Sequence, residues 1–341
     1  MFQATACERP RFEFLNCLSA SSADQMADDI RLGLAADQKY IPSKYFYDAR
    51  GSRLFREICQ LPEYYLTRME LTLLRRNARG LTDGFENGDL VELGSGANWK
   101  IRVLLDAMGQ TRRGGTRYVP VDVSEDALTR AGEELLQTYP ELQVLCVLAD
   151  FMLDVPRLPL DRSKLILFFG STIGNLDDEQ TGVFLKALAK TLYPDGRFLL
   201  GLDMVKPTKV LEAAYNDSRH LTADFNKNLL IVLNREVGSD FHPDYFEHVA
   251  FFNERLSRIE MHLRAKFRMV VQFPALDLSV RLAKGETVRT EISRKFTRPG
   301  VEAFVKDAGM TVTRWVSDPY DWFSIAEIAL DGRCTNAVSK L

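Results

Sequence analysis

Residues 90–100 read LVELGSGANWK, and this stretch decides the fold. An apolar run ends in an acid and a Gly-Ser-Gly turn, and after Lys100 the apolar residues follow a helical spacing. The turn is not a phosphate loop, because the pattern GxxxxGK[ST] is absent. It is also not a complete dinucleotide motif, because Trp99 stands where the third glycine belongs. Short glycine turns after a first strand still bring the backbone close to a ligand, so the stretch predicts a ligand-binding strand-to-helix turn.

The segments that follow extend this turn into an alternation of strands and helices. Strands are predicted at DLVEL, RYVPVDV, LQVLCVLADF, KLILFFG and GRFLLGLDMV, with helices at WKIRVLLDAMG, SEDALTRAGEELLQTYP and DDEQTGVFLKALAKTL. The first of these helices is predicted to end at Gly109. KLILFFG is continuously apolar, as expected of a central parallel strand that is covered on both faces. The alternation predicts an α/β fold with a doubly wound, Rossmann-like parallel sheet.

Residues 206–295 break that rhythm. After a helical stretch around residues 208–237, SRIEMHLRAKFRMV alternates strictly between apolar and polar residues, which predicts a strand with one wet face. ALDLSVRL and TVRTEIS alternate likewise, so an antiparallel sheet is predicted as a second unit inserted into the first. The tail returns to a helix and two strands that could complete the first sheet at its far edge. Near the start, Met26, Ile30 and Leu34 form a helical stripe, whereas most of residues 40–74 reads as loop or short helix.

Composition narrows the function classes. The 341 residues carry a formal net charge of −3 without a Lys/Arg-rich run, so no nucleic-acid partner is predicted. The start has no signal-peptide pattern, no apolar run is long enough to span a membrane, and the four histidines share no metal-ligand spacing. Five cysteines without CxxC spacing fit reduced thiols. We therefore expect a cytoplasmic protein, a monomer, with no metal and no membrane contact.

Acidic residues end two of the predicted strands beside the glycine turn. Asp122 is placed to accept hydrogen bonds from a ribose diol. Asp150 and Phe151 suit an adenine, with the carboxylate accepting from the exocyclic amine and the ring covering the base. ELGSG, VDV and ADF on three successive strands form the pattern of S-adenosylmethionine-dependent methyltransferases. The turn is then a cradle for the amino-acid end of that cofactor, whose carboxylate Lys100 could meet.

Further motifs outside this core carry a more specific resemblance. KYFYDARGSRLF, LPEYYLTRMELTLL, VELGSG, FFGSTIGNL, LTADFNKN, RIEMHLRA and TEISRKF together resemble the histidine-specific methyltransferase family of ergothioneine biosynthesis. That family makes hercynine, the trimethylated α-amine of L-histidine. The resemblance runs from about residue 24 to residue 330. It implies a methyltransferase domain at residues 70–205 and 296–341, and a substrate-binding domain at residues 1–69 and 206–295.

The resemblance also implies site residues. By motif match, the cofactor contacts are Gly94, Lys100, Asp122, Asp150 and Phe151. The histidine contacts are Tyr64, Asn175, Tyr215, Met261, Glu291 and Ser293, with Tyr47 and Phe55 in the wall around the amine. The run after Gly96 departs from the family pattern at Asn98 and Trp99. The substrates implied are L-histidine and its mono- and dimethyl forms.

The residue types in TEISRKF suit an imidazole. In a strand, Glu291 and Ser293 share one face and Ile292 points to the other. A carboxylate and a hydroxyl side by side can meet the two kinds of ring nitrogen, although the same spacing fits a solvated face. Met261, on the apolar face of its strand, would pack on the ring or simply fill the core.

The chemistry places few demands on acids and bases. The enzyme must hold nitrogen, carbon and sulfur in line, and it must take up the amine deprotonated. Partial desolvation among aromatic rings would lower the pKa of the amine, and Tyr47 could pass its proton to water. Aromatic walls also tolerate a growing methylammonium through cation–π contact. Two alternatives stay open: a sister methyltransferase acting on tryptophan or another amino acid, and a non-catalytic sensor that binds S-adenosylmethionine.

Overall fold

Two sheets and a hairpin organise the protein, and the computed structural model describes residues 11–18, 22–96, 98–192 and 195–332. The strands are β1 (Phe12–Asn16), β2 (Asp89–Leu93), β3 (Arg117–Asp122), β4 (Gln143–Leu148), β5 (Lys164–Phe168), β6 (Arg197–Asp203), β7 (Phe246–Asn253), β8 (Arg258–Ala265), β9 (Met269–Phe273), β10 (Leu278–Leu282), β11 (Thr287–Arg294), β12 (Met310–Ser317) and β13 (Phe323–Leu330). The helices are α1 (Ser22–Ala35), α2 (Ala49–Ile58), α3 (Tyr65–Leu81), α4 (Trp99–Gly115), α5 (Glu125–Thr138), α6 (Phe151–Asp154), α7 (Asp178–Leu192), α8 (Thr208–Tyr215), α9 (Leu221–Val237) and α10 (Arg298–Asp307).

The larger sheet has eight strands in the order β1-β4-β3-β2-β5-β6-β13-β12. The strands from β1 to β6 pair in parallel. The tail strands β13 and β12 complete the sheet at its far edge, as predicted, and their pairing is antiparallel. Consecutive residues of β2 face opposite layers: Leu90 packs with α3, α4 and α5, and Val91 packs with α7 and α10. This double coverage confirms the predicted doubly wound α/β fold. Strand β1 was not predicted, because it is short and mostly exposed.

Two helix predictions are corrected. At Gly109 the backbone leaves helical geometry, with φ 73° and ψ 163°, but a further helical segment runs on to Gly115. The predicted end is therefore a kink, because the chain resumes its helix after one non-helical residue. The region predicted as loop or short helix contains α2 and the 17-residue α3. Buried residues at helical spacing, such as Leu66, Leu73 and Leu74, hold α3 against the sheet in spite of the polar residues between them.

The inserted region forms a three-stranded antiparallel sheet in the order β11-β8-β7, and β9 and β10 pair as a separate hairpin. The long alternating run therefore makes two strands rather than one, with a turn at residues 266–268. The predicted wet face of β8 is also wrong in part. Glu260 and His262 are buried, because Arg258 and Asn253 pair with Glu260, and Phe251 stacks on His262 at a ring distance of 5.4 Å.

The N-terminal segment packs on the inserted region. The backbone N–H of Ile41 donates to Arg289 and that of Arg289 donates to Lys39, which ties the segment to β11. Helices α1 and α2 both contact α9. The division into two domains stays a prediction, and β1 and α3 cross its proposed boundary: β1 pairs with β4 in the larger sheet, and α3 spans residue 70.

Candidate active site

The glycine turn after β2 and the end of β3 line one recess. Gly94 and Gly96 both have a positive φ, 69° and 42°, which a residue with a side chain rarely adopts. The N–H of Gly94 donates to the carbonyl of Val121, so the turn is fastened beside Asp122. Burial raises the pKa of Asp122, while backbone N–H groups, including that of Ser124 at 3.1 Å, oppose the shift. Asp122 keeps accessible surface and can accept further hydrogen bonds.

The end of β4 adds an acid and an aromatic ring to the same recess. The carboxylate of Asp150 caps α6 by accepting the N–H of Met152 at 2.9 Å. The ring of Phe151 faces the glycine turn, since a Cβ at Gly94 would lie 3.9 Å from it. From the N-terminal segment, Nζ of Lys44 lies 3.6 Å from Asp150. Three strand ends and one crossing segment thus meet at this edge of the sheet.

Lys100 has a partner that the sequence did not suggest. Its Nζ lies 2.6 Å from Glu70 on α3, a fully buried carboxylate. Glu70 also accepts the backbone N–H of Gly170, which follows β5, at 2.8 and 2.9 Å. A Cβ at Gly170 would lie 3.2 Å from Nζ of Lys100, so the lysine sits at the sheet end beside the glycine turn. Glu70 lies in the motif TRMELTLL, but an acid within a helix gives no local signal of this contact.

An aromatic wall stands opposite the strand ends. The ring centroid of Phe55 lies 5.6 Å from that of Tyr47 and 6.1 Å from that of Tyr64. The ring centroids of Tyr64 and Tyr215 lie 6.3 Å apart. Phe225 on α9 completes the wall at 5.7 Å from Tyr47, and the sequence prediction missed it. Its motif, LTADFNKN, was noted, but a phenylalanine at a buried helical position reads as ordinary core. The predicted aromatic residues are therefore brought together from two separate segments of the chain, and α9 adds Phe225.

A β-bulge aims the residues of β11. Arg289 faces His262 across the strand pair, but Glu291 faces Met261, so one extra residue stands between them. Without the bulge, Glu291 would face Glu260 on the outer side of the sheet. With it, Glu291 and Ser293 lie on the side of Met261 and the aromatic wall. The hydroxyl of Tyr215 donates to Ser293 Oγ at 2.8 Å, which closes this side of the recess.

Glu291 is the titratable group best poised for a ligand. Burial raises the pKa of its carboxyl to about 7, opposed only by the charge of Lys295. Among the described residues, its carboxylate has no hydrogen-bond partner, and the same holds for the hydroxyls of Tyr47 and Tyr64. A carboxylate with accessible surface and no partner inside a desolvated recess needs a donor from elsewhere.

Tyr47 lies between the two halves of the recess. Burial raises its pKa well above the usual value, and the charges of Glu291 on one side and Asp122 on the other add to the shift. Asn175 ends a short 3₁₀ helix, Thr172–Asn175, that packs on β11: a Cβ at Gly174 would lie 3.0 Å from the carbonyl oxygen of Arg294. Tyr47 is thus close to both the predicted substrate residue Glu291 and the predicted cofactor residue Asp122.

Neither a metal centre nor a membrane span accompanies this site within the described part of the chain. No group of three or more potential metal ligands is found there, and no helix has the length and apolar character needed to cross a membrane. The polar groups that converge on the recess are suited to hydrogen bonding with an organic ligand.

Comparison with known proteins adds independent information. A model of the family described as histidine-specific methyltransferase, SAM-dependent, matches residues 26–330. The chain is 43% identical to a histidine N-alpha-methyltransferase of Mycolicibacterium smegmatis, over 91% of this chain and 97% of that protein. It is 41% identical to the protein of the same name from Mycobacterium tuberculosis, over 87% and 92%. It is 30% identical to ergothioneine biosynthesis protein 1 of Schizosaccharomyces pombe, over 68% of this chain and 31% of that protein.

Proposed function

The chain belongs to the family of histidine-specific, S-adenosylmethionine-dependent methyltransferases, and on that premise we propose that it trimethylates the α-amino group of L-histidine to give hercynine, a step of ergothioneine biosynthesis. The observation that carries the proposal is the unpartnered carboxylate of Glu291 in a desolvated recess, next to Ser293 and opposite the strand ends that suit a nucleoside. An acceptor and a hydroxyl together match the two nitrogens of an imidazole.

The residues at the sheet edge fit the cofactor. Asp122 would hold the ribose diol, and Asp150 and Phe151 would hold the adenine. The glycine turn at Gly94 lets the backbone approach the amino-acid end, where Lys100 would meet the carboxylate. Lys100 is paired with Glu70, so a bound carboxylate would share the lysine with that acid, and the ammonium group of the same ligand would suit Glu70. When bound, S-adenosylmethionine supplies an electrophilic methyl group.

The substrate side would orient the amine and keep it neutral. Asn175 and Tyr64 offer donors for the carboxylate of the amino acid, and Tyr215 packs beside Tyr64. Tyr47, Phe55 and Phe225 surround the position left for the amine, and their desolvating rings favour its uncharged form. The same rings stabilise the methylammonium product by cation–π contact, which permits three successive transfers without release. The chain's contribution to the rate is then mainly alignment and desolvation.

The activity itself is the direct test. Purified protein with S-adenosylmethionine and L-histidine should yield trimethylhistidine and three equivalents of S-adenosylhomocysteine, measured by mass spectrometry. A panel of amino acids in the same assay addresses the alternatives. Consumption of tryptophan without consumption of histidine would contradict the substrate, and cofactor binding without any methylated product would favour a sensor.

We also propose that the enzyme acts as a monomer in the cytoplasm on free amino acids. The scattered cysteines support a reducing compartment, and Cys17, Cys59 and Cys146 are free thiols. Light scattering on the purified protein would test the monomer, and fractionation of the host cell would test the compartment.

A further inference from the structure

A fully buried ion cluster lies directly behind the substrate recess. Asp203, at the end of β6, accepts hydrogen bonds from the hydroxyl of Tyr65 at 2.8 and 2.9 Å. Lys295, which follows β11, places Nζ 2.7 Å from the other side of the same carboxylate, and Lys206 also contacts it. The side chains of Asp203, Lys206 and Lys295 have no exposed surface. The proposed reaction assigns no role to this cluster, although Lys295 contacts Ser293 and Tyr215 in the recess.

The two lysines of the cluster differ in the direction of their pKa shifts and in position. Burial lowers the pKa of Lys206 to about 8, although Asp203 opposes the shift. Burial also opposes the charge on Lys295, but Asp203 and Tyr215 outweigh it and hold its pKa above the usual value. Both lysines are therefore cations at neutral pH, and Lys295 holds its proton the more tightly. It is also the lysine that reaches the recess, since its Nζ lies 2.8 Å from Ser293 Oγ and 3.2 Å from Tyr215 Oη.

With the hydroxyl of Tyr215 as the donor to Ser293, the protons of this group can be counted. An ammonium group has three protons and no acceptor, and Lys295 directs them at Asp203, Ser293 and Tyr215. Tyr215 donates its own proton to Ser293 Oγ at 2.8 Å. Ser293 Oγ then accepts two hydrogen bonds, which fills both of its lone pairs. Its single proton has no acceptor left among these partners and must point toward the recess.

We propose that Lys295, held by Asp203, is a positioning residue that makes the Ser293 hydroxyl an obligatory hydrogen-bond donor toward the substrate. Glu291 on the same face is an acceptor, so the pair requires a ring with one unprotonated nitrogen and one N–H. A neutral imidazole in a single tautomer meets that requirement, whereas a ring without an acceptor leaves the Ser293 proton buried and unpaired. The inference rests on the proposed function, because it concerns how the same pocket recognises histidine.

Lys295→Met tests the proposal, and Lys206→Met is its matched control. Both variants remove one buried cation from Asp203 and leave the other lysine and Tyr65 in place, but only Lys295 contacts Ser293 and Tyr215. Four substrates are compared: histidine, pyrrolylalanine with an N–H and no acceptor, and the two thiazolylalanine isomers with an acceptor and no N–H. The measurement is kcat/KM for each, with KM and kcat resolved, after thermal unfolding has established that each variant is folded.

The wild type should prefer histidine over pyrrolylalanine by at least about tenfold, because a buried donor without a partner is costly. In Lys295→Met, the Ser293 proton can turn back to Tyr215, so this preference should fall to within about threefold, mainly through KM. The preference over thiazolylalanine, which Glu291 controls, should stay. Lys206→Met should keep both preferences. An unchanged histidine-to-pyrrole ratio in Lys295→Met, or the same loss in Lys206→Met, would overturn the proposal.

Tyr215→Phe provides the second variant if Lys295→Met does not fold. Lys295 still donates to Ser293 there, and the Ser293 proton still has no protein acceptor, so discrimination against pyrrolylalanine should persist even if histidine binds more weakly. Its disappearance would overturn the role of Lys295. Failure of the proposed function has a different signature, namely a wild-type protein that methylates none of the histidine offered.

Discussion

The two sides of the recess are built on different physical principles. The cofactor side consists of the ends of three adjacent parallel strands: Gly94 follows β2, Asp122 ends β3, and Asp150 lies two residues beyond β4. The substrate side is assembled from the N-terminal segment, α8, α9 and an antiparallel sheet, and its polar groups are buried. The cofactor side therefore depends on backbone conformation, and the substrate side depends on polar side chains that hold one another.

This difference has consequences for how each side tolerates change. A carboxylate such as Asp122 is supported by backbone N–H groups, which remain when the side chain is removed. On the substrate side, the polar groups are held by other side chains. Ser293 is hydrogen-bonded to Lys295 and Tyr215, and Lys295 forms an ion pair with Asp203. We therefore expect substitutions on the cofactor side to be local, and substitutions on the substrate side to change selectivity and pH dependence.

One of the two largest effects is expected at Asp122. Asp122→Ala should weaken S-adenosylmethionine binding by about 1.5–3 kcal/mol, through the loss of charge-assisted hydrogen bonds to the ribose. Calorimetric titration measures this, and histidine selectivity should stay as in the wild type. Asp126→Ala, which removes an exposed carboxylate four residues along, is the control. Unchanged cofactor affinity in a folded Asp122→Ala protein would remove Asp122 from the site.

The next effect concerns selectivity. Glu291→Ala should reduce kcat/KM for histidine by about one to two decades, because an imidazole N–H loses its charged acceptor. This corresponds to a loss of about 1.5–3 kcal/mol of transition-state stabilisation. Adding Met261→Val, directly across the strand pair, should enlarge the pocket and raise activity on tryptophan relative to histidine. Cofactor affinity should change little.

Glu247→Ala, which removes an exposed acid on β7 at the other edge of the same sheet, serves as the control for Glu291→Ala. The readout is the ratio of kcat/KM for the two amino acids. If this ratio does not move in a folded double variant, Glu291 and Met261 do not set specificity and are plain strand-face residues.

The pH dependence is expected to be smaller. The carboxyl of Glu291 has a pKa of about 7 in the folded protein because of burial, so it is protonated and loses its acceptor role as pH falls through 7. Below that pH, the slope of log kcat/KM against pH for histidine should be steeper in the wild type than in Glu291→Gln. The difference between the two slopes should be about one. The titration of the substrate's imidazole, with a pKa of about 6.5, is common to both proteins.

The sign of the stability effect follows from the same shift. The folded-state pKa of Glu291 lies above its value in the unfolded chain, so ionisation disfavours the folded state. Its contribution to stability is present at low pH and is lost as pH rises toward 7. Glu291→Gln should therefore unfold at a higher temperature than the wild type at pH 8. If the wild type and Glu291→Gln have parallel pH profiles of activity and equal unfolding temperatures at pH 8, Glu291 is not the group that titrates near pH 7.

The sequence predicted the sheet and the cofactor side because their signals are local. An acid or a glycine at the end of an apolar parallel strand lies at the carboxyl edge of the sheet. The substrate side gave weaker signals. The bulge at residue 290, which turns Glu291 inward, depends on pairing with β8, and Glu70 meets Lys100 and Gly170 only through tertiary contacts. Family resemblance, rather than spacing, named Tyr64 and Tyr215, and it supplied neither Phe225 nor the role of Lys295.

The smallest effect is expected at Tyr47, the residue between the two sides. It was predicted to pass the amine proton to water, but burial holds its pKa well above the usual value, so its phenolate is not available as a base at neutral pH. Tyr47→Phe should therefore cost no more than about 1 kcal/mol in kcat/KM, the contribution of one neutral hydrogen bond. Tyr45→Phe, which removes a hydroxyl bound to Asp29 instead, is the control.

The distribution of products makes the Tyr47 prediction sharper. Each of the three transfers requires one proton to leave the nitrogen before the methyl group arrives. If desolvation by the aromatic rings drives that loss, Tyr47→Phe retains the rings and should still give trimethylhistidine, without accumulation of the mono- or dimethyl forms. If Tyr47 is the proton acceptor, every transfer slows and the partly methylated forms accumulate. Time-resolved mass spectrometry of the reaction distinguishes the two, and accumulation in Tyr47→Phe but not in Tyr45→Phe would make Tyr47 a catalytic residue.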